Sequence, residues 1–187
     1  EGGISRYAVD DDWVIPHFEK MLYDNTQFIL LLSKYCKINN DEYYKEKLSQ
    51  TIEFIKKEFL NKNELLGSAY DADSDGEEGK YYVYSFKEIK DITDIRNYFE
   101  IDEKGNWENK IILVEKKKAP KKILDELLKI RSKKNKPFFD DKSQLDLNCL
   151  WISGLILAHD ILPGKGYLKL AEIFFLNIEE KYLKKNI

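Results

Sequence analysis

Apolar positions recur at helical spacing in four long stretches, each bounded by polar links or Gly/Pro breaks. From Trp13 the pattern reads as a first helix: Phe18, Met21, Leu22, Ile29 and Leu32 fall three, four or seven apart, and Pro16 suits a first helical turn. Asn39-Asn40 breaks it. A second helix follows from about Asp41 to Leu60, with Tyr44, Leu48, Ile52, Ile55 and Phe59 as its buried stripe and lysines and glutamates opposite. Residues from about Gln144 to Leu162 form a strongly apolar helix closed by Pro163-Gly164. Tyr167 to about Lys184 is the last, with Leu168, Ala171, Phe175 and Ile178 spaced for burial. Helices joined by short polar links fold back as antiparallel hairpins.

The middle of the chain breaks this rhythm. Residues 1–12 and 67–80 are small, acidic and glycine-containing, and read as loops. Tyr81–Tyr84 and Ile111–Val114 are rich in β-formers and predict two short strands, with a turn at Gly105-Asn-Trp-Glu108. Ser85-Phe-Lys-Glu88 has the spacing of a capping box and starts a short helix toward Ile92. Pro120 opens a helix through about Arg131 with Ile123, Leu124, Leu127 and Leu128 inward, and Lys133 to Pro137 breaks it. The expected fold is mainly α, built of helical hairpins with a small β-hairpin insertion.

Charge narrows the partners. The 187 residues carry 31 basic and 34 acidic side chains, a net charge of -3. Nucleic acid and anionic membrane surfaces both demand a basic surplus, so neither is an expected partner. The longest apolar run, Phe28 to Leu32, is far short of a membrane span. Cys36 and Cys149 form neither a CxxC pair nor a disulfide framework. They are expected as reduced core thiols of a cytoplasmic protein, one long-range disulfide being the alternative. The chain starts at Glu1 and its one methionine is Met21, so it is expected to be a piece of a longer protein.

Three segments carry candidate chemistry. In Pro16-His-Phe-Glu-Lys-Met-Leu-Tyr-Asp24 a helix would set His17, Lys20 and Asp24 on one face, where His17 exchanges protons beside a carboxylate. Asp71, Asp73 and Asp75 followed by Gly76 imitate the first half of an EF-hand, but the twelfth position is Tyr82 rather than a bidentate Glu, so no metal is expected there. Asp140-Asp-Lys142 stands at a helix entrance, where carboxylates either cap backbone amides or supply acid and base groups to a cavity.

Taken in order, SRYAVDDDWVIPHFEKMLYDN, SAYDADSDGEEGKYYVYSFKEI, GNWENKIIL and DDKSQLDLNCLWI resemble the DUF255 family of thioredoxin domain-containing proteins, which takes in the spermatogenesis-associated thioredoxin-like protein of animals. The resemblance covers nearly residues 1–160. It implies that residues 1–187 are a single fragment of an (α/α)6 toroid similar to six-hairpin glycosidases and sugar epimerases, with the thioredoxin-like domain and its cysteines lying before Glu1. In such toroids the loops at one end of the inner helices surround a cavity. The implied cavity residues are His17, Asp24, Asp71, Asp73 and Asp141 as acid/base candidates, and Arg6, Glu19, Glu78, Trp107 and Lys142 as sugar-binding candidates, with a sugar ligand and no cofactor. They are expected on one concave face, as paired carboxylates and aromatic walls suit glycoside chemistry.

This chain departs from the family at Leu147-Asn148-Cys149, where Trp-Asn-Gly is usual, so a stacking surface is lost. The alternative is a non-catalytic scaffold or interaction module accompanying a thioredoxin-like redox domain. Because a toroid needs about twelve helices, a fragment of one is expected to leave apolar faces uncovered and to self-associate.

Overall fold

The computed structural model describes residues 2–183. In chain order the elements are β1 (Lys20–Met21), α1 (Leu22–Asn39), α2 (Glu42–Glu58) and β2 (Ala69–Tyr70). Then come β3 (Asp73–Ser74), β4 (Glu77–Glu78), α3 (Phe86–Ile89), α4 (Ile95–Tyr98), β5 (Phe99–Glu100) and β6 (Val114–Glu115). The last are α5 (Lys121–Arg131), β7 (Phe139–Asp140), α6 (Leu145–Ile161), α7 (Tyr167–Ile178) and a π-helical turn, Glu179–Leu183. The described residues are mainly helical, and no strand exceeds two residues.

The chain divides into two compact units. Among the described residues the helical unit comprises residues 2–5, 20–70 and 139–183. Here α1 packs on α2 and α6, and α6 packs on α7. Leu22, Ile29, Leu48, Ile52, Ile55, Phe59, Trp151, Leu155 and Ala158 are fully buried in one core. An antiparallel sheet of order β1-β2-β7 pairs Lys20 with Tyr70 and Tyr70 with Phe139.

Two buried asparagines organise this unit. Asn25 and Asn148 are each the fourth residue of their helix and fully buried. Asn148 Oδ1 accepts from Leu66 N–H at 2.9 Å, and its Nδ2 donates to the Leu66 carbonyl at 3.1 Å and to the Gln144 carbonyl at 2.9 Å. Asn25 repeats the geometry: Oδ1 accepts from Ile4 N–H at 2.8 Å, and Nδ2 donates to the Ile4 carbonyl at 3.2 Å and the Met21 carbonyl at 2.9 Å. Each side chain thus bonds both the N–H and the C=O of one distant backbone residue, as a strand neighbour would; of the two residues served, Leu66 is fully buried and Ile4 half-buried.

The second unit comprises residues 6–19 and 71–138. Its main core joins Tyr84, Ile89, Ile92, Ile95, Phe99, Ile111, Ile123 and Leu127, and a smaller one holds Phe18, Ala72 and Val83. The Ser85–Glu88 capping box forms as expected: Glu88 Oε2 accepts from the Ser85 amide at 2.7 Å and its hydroxyl at 2.8 Å.

Several expectations need correction. The first long helix starts at Leu22, not Trp13. Pro16 lies in an antiparallel bridge with Ala8, and Lys20-Met21 is a strand, so His17, Lys20 and Asp24 do not share a helix face. Tyr81–Tyr84 is a turn rather than a strand, and only Tyr84 bridges to Ile111. The β pairing lies instead in β3-β4 and β5-β6. Residues 67–80 are thus not all loop, since Asp75-Gly76, both at positive φ, form the two-residue turn between β3 and β4 that Asp-Gly favours. Leu124 is exposed. On α7 the buried stripe is Tyr167, Ala171, Phe174 and Ile178, leaving Leu168 and Phe175 exposed. Lys184, in the expected final helix, lies outside the described residues. Both cysteines are free; Cys36 is buried, whereas Cys149 is exposed and is not a core thiol. Among the described residues no helix is long and apolar enough to cross a membrane.

Candidate functional site

Residues 6–19 fold back on themselves. Arg6 N–H donates to the Glu19 carbonyl at 3.2 Å, His17 N–H to the Tyr7 carbonyl at 2.8 Å and Val9 N–H to the Ile15 carbonyl at 2.9 Å. The tip is held by Asp10, whose carboxylate accepts from Ile15 N–H at 2.6 Å and Val14 N–H at 3.1 Å. Those two amides, Ile15 foremost, hold the Asp10 carboxyl below the usual aspartate range.

In extended chain, side chains two apart share a face. Phe18 therefore turns inward, tilted against Trp107 with ring centroids 5.1 Å apart, while His17 and Glu19 meet on the other side. Glu19 Oε2 lies 3.1 Å from Arg6 Nη1 and 3.7 Å from His17 Nδ1. His17 also stacks on Tyr7, with centroids 4.6 Å apart and planes 24° apart. A carboxylate, a guanidinium, an imidazole and a half-exposed phenol ring thus stand side by side. Carboxylate and guanidinium hydrogen-bond hydroxyls, and the imidazole can both give and take a proton.

The acidic segment makes a second cluster. Asp73 and Glu78 are directly opposed across the β3-β4 pair, both exposed. Like charges in that register repel. Asp71 is spent locally, its Oδ1 accepting from Ala72 N–H at 2.7 Å. Asp75 accepts from Asn135 Nδ2 at 2.9 Å and pairs with Lys80 at 3.6 Å. A 2.7 Å bond joins Lys80 to Glu77, lowering the Glu77 carboxyl and raising the lysine. Gly79 is required here, because a Cβ at that position would stand 2.5 Å from the Phe18 ring. Among the described residues no group of three or more His, Cys, Asp or Glu side chains is arranged to hold a metal ion.

The remaining expected site residues belong to the helical unit. Asp24 lies half-buried in the first turn of α1. Asp141 and Lys142 are exposed on the segment leading into α6, which is fixed through backbone: Asn61 Nδ2 donates to the Asp141 carbonyl at 2.8 Å and Ser68 Oγ to the Lys142 carbonyl at 2.7 Å. The structure therefore brings together Arg6, His17 and Glu19 in one cluster, Asp73 and Glu78 in another, and sets Trp107 on Phe18. Tyr7 is the member of the first cluster that sequence reasoning missed. Its alternation with the chain from His17 to Glu19 becomes visible only once the Ala8–Pro16 bridge is known.

No protein-family model matches the chain. A stretch of 96 residues is 34% identical to spermatogenesis-associated protein 20 of Homo sapiens, covering 48% of this chain and 12% of that protein. Its Mus musculus namesake is 35% identical over 96 residues. An uncharacterized protein of Caenorhabditis elegans is 25% identical over 218 aligned positions, covering 91% of this chain and 30% of that one. Among solved structures, D-mannose isomerase aligns over 96% of this chain and 46% of its own, with TM-score 0.36 and 14% identity. The chain is thus similar to parts of spermatogenesis-associated protein 20 and of the nematode protein, spanning 12% and 30% of their lengths.

Proposed function

We propose that the chain is part of a six-hairpin glycosidase-like (α/α) toroid of a DUF255 thioredoxin domain-containing protein, and that the face formed by Arg6, Tyr7, His17 and Glu19 binds a carbohydrate. The similarity to spermatogenesis-associated protein 20 supports the kinship. The toroid reading is supported by the two helix pairs, each opened by a buried asparagine with the same bonds. The observation that carries the binding reading is the Glu19 carboxylate, gripped by Arg6 at 3.1 Å with His17 at 3.7 Å beside the Tyr7 ring. Glu19 and Arg6 hydrogen-bond vicinal hydroxyls, Tyr7 offers its ring to the apolar face of a sugar, and His17 is the proton carrier. Asp71, Asp73, Glu78 and Trp107 of the same unit flank the ligand. Asp24, Asp141 and Lys142 have no part in this reading.

One observation favours a second reading, that of a non-catalytic interaction module accompanying a redox domain. Asp71, Asp73, Glu78 and Asp141 are exposed, whereas a general acid needs a carboxyl that burial has raised. A glycan-library screen by titration, on the native chain and on Glu19→Gln and His17→Ala, separates the two. Binding of a sugar that weakens at least about tenfold in Glu19→Gln supports the carbohydrate face. Binding that survives both substitutions, or no binding of any sugar, overturns it.

A further inference from the structure

Trp13 is at odds with its place in the fold. Its φ is 57°, in the left-handed region where a bulky side chain crowds the backbone. Among the described residues, every other non-glycine residue at positive φ is Asn, Asp or Glu. The indole is also 85% exposed, so almost no burial comes in return. Folding alone would place Gly or Asn here. The position is nevertheless firmly built, because the Asp10 carboxylate takes the Val14 and Ile15 amides and Trp13 N–H donates to the Asp10 carbonyl at 3.3 Å. A strained residue that its neighbours hold in place, and that adds nothing to a core, is what a binding residue looks like.

Register ties Trp13 to the face that holds Tyr7 and His17. Ala8 pairs with Pro16, so Tyr7 stands opposite His17 and Val9 opposite Ile15, all on one side of the hairpin. The Val9–Ile15 pair lies two residues, about 7 Å, past the Tyr7–His17 pair, and Trp13 lies past both. That is farther than one pyranose ring reaches. The company at the tip narrows the ligand. Asp11 and Asp12 are exposed beside Trp13. An apolar protein surface laid over the indole would strip water from those carboxylates without replacing it. A sugar gives its C–H face to the ring and its hydroxyls to the carboxylates while all of them stay wet.

We infer that Trp13 is the second ring platform of the carbohydrate face, and that the ligand is a linear oligosaccharide running from Tyr7 to Trp13 rather than a single sugar. The inference rests on the carbohydrate reading and names the length of ligand that face takes.

The test is a fluorescence titration of the native chain with cello-, manno- and xylo-oligosaccharides of increasing length, beside their parent monosaccharides. The other tryptophans are half-buried Trp107 and fully buried Trp151, so acrylamide quenches Trp13 foremost. A bound oligosaccharide is expected to shield Trp13 from acrylamide, and a monosaccharide is not. Trp13→Asn suits the left-handed backbone, so its Tm is expected at or above that of the native chain. Its affinity for the oligosaccharide is expected to fall at least about tenfold, with monosaccharide affinity unchanged, and Trp13→Tyr is expected to recover most of the loss. An oligosaccharide that Trp13→Asn binds like the native chain, while Glu19→Gln weakens it, would overturn the role of Trp13 and leave the carbohydrate face standing. A Tm for Trp13→Asn well below native would make the indole a prop of the hairpin and overturn the role as well. If neither oligosaccharide nor monosaccharide binds, the carbohydrate face falls and this inference with it.

Discussion

Replacing Asn148 with alanine strands two backbone groups at once. Leu66 is fully buried, and its N–H and C=O bond to Asn148 at 2.9 and 3.1 Å. The flanking bridge cannot take them over, because Leu60 and Leu66 pair through Gly67 N–H to the Phe59 carbonyl and Asn61 N–H to the Leu65 carbonyl. A buried donor or acceptor left without a partner costs about 1–3 kcal/mol, so two cost about 2–6 kcal/mol. That is a large share of the about 5–15 kcal/mol that holds a domain folded. With a urea m-value of about 2 kcal/mol/M, the midpoint should fall by about 2 M. Urea unfolding followed by far-UV circular dichroism measures it. A companion, Asn148→Asp, keeps the acceptor for Leu66 N–H but must carry a proton to donate to either carbonyl, so its deficit should shrink as pH falls. A loss below about 1 kcal/mol for Asn148→Ala, at unchanged m, would refute the reasoning.

Two further outcomes follow from the second unit. Gly79→Ala meets both the Phe18 ring at 2.5 Å and a positive φ of 66°, and should cost about 2–5 kcal/mol. Gly76→Ala, with φ 75° and open space, should cost about 1–2 kcal/mol. Thermal melts of the two variants check the difference, and equal losses would contradict it. Burial pushes the Glu88 carboxyl up, but the Ser85 amide and hydroxyl together with Lys134 outweigh it, leaving the group below the ordinary glutamate value of 4.5. A depressed folded pKa means the capping box stabilises in full above that value and fades as pH falls through the lower one. The Tm gap between native chain and Glu88→Gln should therefore be widest at neutral pH and close in acid, and a gap constant with pH would contradict this.

The long helices were legible because burial repeats every turn: α2 runs Glu42–Glu58 and α6 runs Leu145–Ile161, close to what the periodicity predicts. The start of α1 was not. Phe18 and Met21 carry helical spacing, but Lys20-Met21 is drawn into strand pairing with Ala69-Tyr70, a partner far away in sequence. The α7 face was misplaced by one residue, since Leu168, Ala171, Phe175 and Ile178 are as regular as the stripe that is buried. Only the neighbouring helix α6 decides between them. Asp75-Gly76 is a hairpin signal that acidic neighbours of low β propensity obscured. In the candidate site, Arg6, His17 and Glu19 were legible through family resemblance. The bonding roles of Asn25 and Asn148 were not legible, because their partners lie 21 and 82 residues away.

Tyr70 and Phe139 are register partners in the β1-β2-β7 sheet, yet the whole stretch from Asp71 to Phe138 lies between them. The frame therefore holds the two ends of that excursion at the spacing of adjacent strands, whatever fills it. Doubling the length of a flexible segment closed in this way adds only about 0.6 kcal/mol of closure entropy. Added or trimmed length in the excursion therefore costs the strand pairing that closes it very little, provided that the contacts of Phe18 with Ala72, Val83 and Trp107 are kept. Residues 71–138 are thus the part of the chain in which extra length is least felt by the Tyr70–Phe139 pairing that encloses it.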